Sequence, residues 1–262
     1  MHRNRLGRHA HSLFYLVLVS SALVYTLGGP VWHPSEVRVG RSHTAAIIDE
    51  LSATIPNQSF RQEATARLAR IGFAVDYYSP SQVTVEFLRT LPSLGYGIVL
   101  LRAHSTGWDG DTIAILTSEQ YSSDRHSIEQ VTGQVVRARL GVVNQDFFAI
   151  TPNFVREAMQ GVFPGSIIVM MGCTGLISSE MAQAFVAKGA EVYVSWDEVV
   201  YASRTDMATL ALLQNLASGK PIDVAVAAAT DNIPPDLTYN SQLGYYPLDH
   251  GAMLLTSTPS EV

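Results

Sequence analysis

The stretch from Ser166 to Glu180, SIIVMMGCTGLISSE, constrains the fold of this chain more than any other part of the sequence. It begins with an apolar run, Ile167 to Met171, that leads into Gly172 and Cys173. An apolar run this short, bounded by turn residues, predicts a buried strand of a parallel sheet, and the serines that follow can cap a helix. Cys173 therefore lies where a strand ends. Ligands of open α/β sheets bind at that edge, so the position suits a nucleophile, although a lone cysteine can also be a small buried packing group.

A second stretch has the same sequence pattern. Gly97 to Ala103, GIVLLRA, is a short apolar run that ends at His104 and Ser105. Two strand ends that carry a histidine and a cysteine would place an imidazole beside a thiol. A cysteine has an unperturbed pKa of about 8.5, so little thiolate forms near neutral pH unless a base such as histidine helps. The pair His104 and Cys173 therefore predicts nucleophilic chemistry, whereas a strand-end histidine alone is more often a hydrogen-bonded surface group.

Strand and helix patterns alternate in the first part of the chain. Such alternation predicts an α/β fold with a mostly parallel sheet and helices on its faces. The patterns are Thr44 to Leu51 (strand), Ser59 to Ile71 (helix), Phe73 to Tyr78 (strand) and Val83 to Leu91 (helix).

The insert between His104 and Cys173 breaks that alternation. Polar turns separate three β-type runs, which predict a hairpin or a small meander beside the two strand ends: Asp111 to Tyr121, Gln134 to Val143 and Asp146 to Ile150.

The two ends of the insert have recognisable local patterns. Trp108, Asp109 and Asp111 follow the histidine in a glycine-containing loop, and such a loop is a natural rim for a cleft. Thr151 is a good N-cap and proline is favoured at the first helical position, so we expect a helix from Pro152 to Gln160 that leads to the cysteine strand.

The order of these elements resembles the caspase-like cysteine peptidases, a group that includes caspases, gingipains, clostripain and CHAT domains. The resemblance starts from an apolar strand followed by His104, and then another apolar strand followed by Gly172-Cys173. Ala182 to Trp196 is similar as well, since it reads as a helix, a turn, a strand and a terminal tryptophan. Met207 to Ala229 gives two further helices, as CHAT and gingipain-like domains often have. The resemblance covers roughly Thr44 to Asp231.

This resemblance implies a three-layer α/β sandwich and a cysteine endopeptidase that works through an acyl-enzyme. It implies that Cys173 is the nucleophile, that His104 is the acid and base, and that the backbone N–H groups of Cys173 and Ser105 stabilise the oxyanion. The substrate would be a peptide or protein, and no metal or organic cofactor would be needed. One residue departs from the pattern, because the family usually has glycine after the histidine and this chain has Ser105.

Three further residues are candidates for substrate binding. Asp197 follows Trp196 at the end of a predicted strand, next to the expected cleft, and Asp49 lies near the end of the first strand. If Asp197 points into the cleft, it would favour a basic substrate side chain, and if it points out it is an ordinary solvated charge. Asp49 could face a site, or it could be solvated, as carboxylates at such positions more often are.

The N-terminus carries a separate signal. The apolar run of residues 13–27 follows Arg3, Arg5 and Arg8, and its length lies between that of a signal-peptide core and that of a membrane span. No clean A-x-A cleavage site follows, which favours an uncleaved signal anchor over secretion after cleavage. We therefore expect an N-terminal hydrophobic helix in residues 1–30, a linker in 31–43, and a domain in 44–262 outside the cytoplasm.

Composition excludes several classes of function. A net charge of -6 gives no basic surface for nucleic acid. The eight histidines are scattered without metal-ligand spacing, and no phosphate-binding glycine motif is present, so no metal or nucleotide site is predicted.

Two alternatives to a caspase-like peptidase stay open. The first is an α/β-hydrolase, because Met171 to Gly175 resembles the G-x-S-x-G elbow and Asp249-His250 follows in the Cys, Asp, His order, although Met171 replaces the first glycine. The second is a catalytically silent caspase-like domain that serves as a binding module.

Overall fold

A six-stranded sheet, parallel except at one edge, organises the chain. The computed structural model describes residues 42–255, and the predicted N-terminal hydrophobic helix lies outside them. Within those residues the strands, in chain order, are β1 (Thr44–Asp49), β2 (Ala74–Tyr78), β3 (Ile98–Arg102), β4 (Ser105–Trp108), β5 (Thr112–Gln120), β6 (Val135–Leu140), β7 (Gln145–Ile150), β8 (Ile167–Met170), β9 (Val192–Trp196) and β10 (Leu243–Tyr246). The α-helices are α1 (Gln58–Arg70), α2 (Val85–Thr90), α3 (Ser127–Val131), α4 (Glu180–Ala187), α5 (Ala202–Ala217) and α6 (Ile222–Ala228).

The large sheet has the strand order β10-β9-β8-β3-β1-β2, and β10 alone runs antiparallel to its neighbour. Its central strands are buried on both faces, as the uninterrupted apolar runs predicted. Alternate residues of β1 show the layering. Ala45 and Ile47 pack in one cluster with residues of α1, α5 and α6, whereas Ala46 and Ile48 pack in the other with residues of α2 and α4. The predicted α/β sandwich with a mostly parallel sheet is confirmed.

The insert after β3 forms a second, four-stranded antiparallel sheet with the order β4-β5-β7-β6. Three of its strands fall on the predicted β-type runs. They form two hairpins, β4–β5 and β6–β7, joined by the pairing of β5 with β7, so the predicted hairpin is confirmed and the sheet is not a meander. β4 was not predicted, and the loop that was expected to follow the histidine is instead the first strand of this small sheet.

The segment before β8 differs from the prediction. The helix expected over Pro152 to Gln160 is a π-helical turn over Phe154–Ala158. The predicted cap is present, because the Phe154 N–H donates a hydrogen bond to the Thr151 hydroxyl at 3.4 Å. No helix within residues 42–255 is both long and apolar enough to cross a membrane.

Candidate active site

The predicted histidine and cysteine follow neighbouring strands. β3 and β8 pair in parallel, with Leu101 opposite Met170, so their carboxyl ends lie at the same edge of the large sheet. His104 follows the end of β3 by two residues, and Cys173 follows the end of β8 by three. The fold therefore brings together the two segments that the sequence singled out.

These two segments touch each other directly. The Ser105 hydroxyl donates a hydrogen bond to the Cys173 carbonyl oxygen at 2.5 Å. A Cβ atom at Gly172 would collide with the Ala103 carbonyl oxygen, so this close approach of two backbones requires glycine. This steric constraint explains why a glycine precedes the cysteine.

The His104 ring is held on the side of β1. Its Nε2 lies 2.9 Å from the Thr54 hydroxyl oxygen, which is itself 3.3 Å from the Leu51 carbonyl oxygen. Burial lowers the pKa of His104, and the positive charge of Arg102 lowers it further, so the ring is neutral near pH 7. Within residues 42–255 no hydrogen bond joins the ring to Cys173.

The His104 backbone is held by both sheets. Its N–H donates to the Glu50 carboxyl at 2.7 Å, at the end of β1, and its carbonyl accepts from the Leu116 N–H at 2.9 Å, in β5. The position of this residue is therefore fixed relative to the large sheet and the small one.

The Cys173 side chain is partly buried and lines a pocket. Its Sγ lies 3.6 Å from the Val200 carbonyl oxygen. The pocket has a volume of about 350 Å³ and lies between the β4–β5 hairpin and the loop after the cysteine. Of the three residues predicted for the rim of a cleft, Asp111 lines this pocket, whereas Trp108 and Asp109 do not. The lining residues are Ser105, Thr106, Gly107, Gly110, Asp111, Thr112, Ile113, Cys173, Thr174, Ile177 and Val199.

Trp196 and Asp197 do not line this pocket. The Trp196 side chain is fully buried, and its Nε1–H donates to the Thr205 hydroxyl at 2.9 Å. The Asp197 carboxylate accepts from the Gln242 N–H at 2.7 Å, and the Asp197 N–H donates back to the Gln242 carbonyl. Trp196 therefore packs in the interior, and Asp197 fastens the segment that leads into β10.

Asp49 is also directed away from the pocket, into a buried ion-pair network that was not predicted. Arg102 is fully buried, and its guanidinium donates to Asp49 at 2.8 Å and to Asp206 of α5 at 2.7 and 3.0 Å. The network joins β1, β3 and α5 just below His104. The single charged residue in the apolar run GIVLLRA was the signal that could have indicated it, because a buried charge needs a partner.

Glu50 is a second buried acidic group beside the site. Burial raises the pKa of Glu50 to about 8, and the nearby negative charge of Asp49 contributes in the same direction. The hydrogen bond that its carboxyl accepts from His104 only partly offsets this. Near neutral pH, Glu50 is therefore mostly a neutral acid.

Glu50→Gln is expected to make the folded state more stable at alkaline pH. The folded state holds the Glu50 proton up to about pH 8, whereas the unfolded chain loses it near the ordinary value of 4.5, so wild-type stability falls as pH rises between these values. Relative to Glu50→Gln, wild type should lose at most about 1.4 kcal/mol per pH unit. Urea denaturation of both proteins at several pH values measures this.

The matched control is Glu86→Gln, which alters a surface glutamate paired with Arg89. Because exposed ion pairs contribute little, that substitution should change stability by less than about 1 kcal/mol. A difference between Glu50→Gln and wild type that stayed constant from pH 5 to 8 would contradict a buried neutral acid at this position.

His250 and Cys173 lie at opposite ends of the strands of the large sheet. The Nδ1 of His250 is 2.9 Å from the Glu191 carbonyl oxygen, and Glu191 immediately precedes β9. Cys173 follows the carboxyl end of β8, which is parallel to β9, so a strand length separates the two residues. The α/β-hydrolase alternative, with His250 as base, therefore has no support in this geometry.

The sequence matches no family model, and it matches no curated protein. A solved structure described as the Arg-specific cysteine proteinase gingipain R (RgpB) is similar to this chain with a TM-score of 0.48 and 10% sequence identity. The similarity covers 81% of this chain and 47% of that one, so this chain spans less than half the length of that protein.

Proposed function

We propose that this chain is a caspase-like cysteine peptidase in which Cys173 and His104 act as a dyad. The observation that carries the proposal is the contact between the segments after β3 and β8, made by the Ser105–Cys173 hydrogen bond and the close approach at Gly172. It places a partly exposed thiol, in a pocket large enough for a side chain, next to the segment that carries a neutral imidazole.

The Thr54 hydroxyl supports His104 as the base. In the proposed arrangement the Thr54 hydroxyl donates to the Leu51 carbonyl, and its oxygen accepts from Nε2–H of His104. The imidazole is then the tautomer in which Nδ1 carries no proton. Nδ1 is then the nitrogen that can take a proton from the thiol, while Thr54 orients the ring from the other side.

The proposed reaction begins with a rotation of the Cys173 side chain. The thiol faces the Val200 carbonyl in this conformation, and it must turn toward His104 to give up its proton. The thiolate then attacks the peptide carbonyl carbon, and His104 passes the proton to the departing amine as the C–N bond breaks. Water, activated by the same imidazole, hydrolyses the resulting thioester and regenerates the thiol.

Two backbone N–H groups support the proposed oxyanion site. The Leu116 N–H donates to the His104 carbonyl, so these two residues form a hydrogen-bonded pair between β5 and the start of β4. Opposing residues of antiparallel strands alternate between hydrogen-bonded and non-hydrogen-bonded pairs. Ser105 and Ile115, the next opposing residues, therefore form a non-hydrogen-bonded pair. The Ser105 N–H therefore points away from β5, at the edge of the small sheet. The Cys173 N–H has no hydrogen-bond acceptor within residues 42–255. Both groups are left for a developing negative charge.

The apolar run of residues 13–27 supports a proposal about where in the cell the protein is located. We infer that the run anchors the peptidase in a membrane with the domain outside the cytoplasm, where peptides and proteins would be its substrates. The basic residues that precede the run and the absence of a clean cleavage motif support this.

The dyad is tested by alkylation of the thiol. Because Cys173 is the only cysteine, iodoacetamide labels one known site, and its rate reports the thiolate fraction. We expect wild type at pH 7 to react several-fold faster than free cysteine, and His104→Gln to fall to the rate of free cysteine. Stopped samples analysed by intact-protein mass spectrometry give both rate constants.

His250→Gln is the matched control for this measurement, because it removes an imidazole at the far edge of the sheet. Its alkylation rate should equal that of wild type. Equal rates for wild type and His104→Gln would contradict the dyad, and would favour the silent binding module instead.

A further inference from the structure

Ser105 occupies the position where the resemblance leads to an expectation of glycine, and its side chain makes a specific contact. The hydroxyl donates to the Cys173 carbonyl oxygen at 2.5 Å, so a residue that follows the proposed base holds the backbone of the proposed nucleophile. The side chain is partly buried and lines the pocket.

We propose that the Ser105 hydroxyl is a positioning group that fixes the peptide unit between Cys173 and Thr174, and through it the direction of the nucleophile. This inference rests on the proposed function, since it assigns a role within the same site.

The peptide unit in question is held at both of its polar atoms. Its carbonyl oxygen, from Cys173, accepts from Ser105, and its N–H, from Thr174, donates to the Glu198 carbonyl at 2.9 Å. One contact comes from the small sheet and the other from the loop after β9. These two bonds hold the peptide plane in one orientation. The backbone before Cys173 is held at Gly172 by its close approach to Ala103, so the direction of the Cys173 Cα–Cβ bond is restrained from both sides.

This peptide unit needs such support because Thr174 is strained. Thr174 has a φ of 54°, in the left-handed region that a β-branched residue seldom adopts. Rotation of the preceding peptide plane would relieve that strain, but it would carry the Cys173 carbonyl away from Ser105. The hydroxyl therefore opposes the relaxation that would disturb the nucleophile.

Removal of the hydroxyl should lower turnover without weakening substrate binding. Ser105→Ala keeps the backbone N–H, so it leaves the proposed oxyanion donor in place. A misplacement of a reacting group by about 1 Å can cost on the order of 100-fold in rate. We expect Ser105→Ala and Ser105→Gly to lower kcat by about 10- to 100-fold with KM changed less than about threefold, and Ser105→Thr, which keeps a hydroxyl, to restore most of kcat.

The experiment measures kcat and KM on a peptide substrate and the alkylation rate of Cys173, for the three variants and for Ser118→Ala. Ser118 is the matched control, because its hydroxyl has no hydrogen-bond partner in the part of the chain that the structure describes. Ser118→Ala should leave kcat, KM and the alkylation rate as in wild type.

The outcomes separate this inference from the function on which it rests. If wild type cleaves no peptide, the proposed function fails, and the alkylation rate alone then decides: slower labelling in Ser105→Ala and Ser105→Gly, restored in Ser105→Thr, supports the positioning role. Wild-type kcat and labelling in Ser105→Ala would overturn it. A loss that Ser105→Thr does not restore, in a variant that denatures like wild type, would overturn it as well.

Discussion

Cys173→Ala is expected to abolish peptide hydrolysis and to leave the fold intact. Alanine provides no nucleophile, and no second cysteine exists in the chain to replace it, so activity should fall at least about 1,000-fold. The structural cost should be small, about 1 kcal/mol, because the thiol is only partly buried and makes one weak hydrogen bond, to the Val200 carbonyl. Hydrolysis of a fluorogenic peptide library and urea denaturation measure the two effects.

Cys173→Ser is the companion variant, since it keeps the size and a hydrogen-bond donor but replaces the thiol with a hydroxyl that is far harder to ionise. It should be inactive on the same library. Hydrolysis that persisted in Cys173→Ala would exclude this residue as the nucleophile. Peptide binding by a wild type that cleaves nothing would identify the silent module.

Arg102→Met is expected to be the most destabilising single change at this edge of the sheet. It leaves Asp49 and Asp206 buried without their counter-charge, with side-chain exposures of 2% and 4%. Removal of one partner of a buried ion pair costs about 3 to 5 kcal/mol, and here two carboxylates lose theirs. We expect at least about 5 kcal/mol, which is comparable to the whole stability of many domains. Urea denaturation, or failure to obtain soluble folded protein, gives the result.

The matched control is Arg67→Met, on the surface of α1. Arg67 pairs with Glu63 one helical turn away, and both side chains are accessible to solvent, at 27% and 51%. It also donates a hydrogen bond to the Leu210 carbonyl of α5 at 3.2 Å. An exposed pair contributes less than about 1 kcal/mol and one such hydrogen bond about 1 kcal/mol, so this substitution should cost far less than Arg102→Met. If Arg102→Met were as mild as Arg67→Met, the network below His104 would not be a stabilising feature.

The elements with a strong apolar period could be predicted from the sequence. β3 and β8 were predicted because their runs are short and bounded by turn residues. Their ends were expected at one edge of a parallel sheet, and the structure shows in addition that the two strands are neighbours. β4 could not be predicted, because Ser105 to Trp108 has no apolar period and its pairing depends on β5, which follows it in the chain. Tertiary contacts decide whether such a segment forms a strand.

The candidate site residues could likewise be predicted only in part. A strand end fixes which edge of the sheet a residue occupies, and this was enough to bring the segments of His104 and Cys173 together. It does not fix where a side chain points. Trp196 and Asp49 were therefore predicted at the correct edge of the sheet, but their side chains turn into the interior. Thr54 carried no signal of its own, because only the fold brings its hydroxyl to the imidazole.

The anchorage of His104 in both sheets limits where this chain can tolerate change in length. An added residue between Arg102 and Ser105 would break the bonds to Glu50 and Leu116 together, and would shift one sheet against the other. The turn of residues 141–144, at the far end of the β6–β7 hairpin, touches neither anchor, so a longer turn there would leave the imidazole where it is. Length variation among natural homologues should therefore collect at that turn.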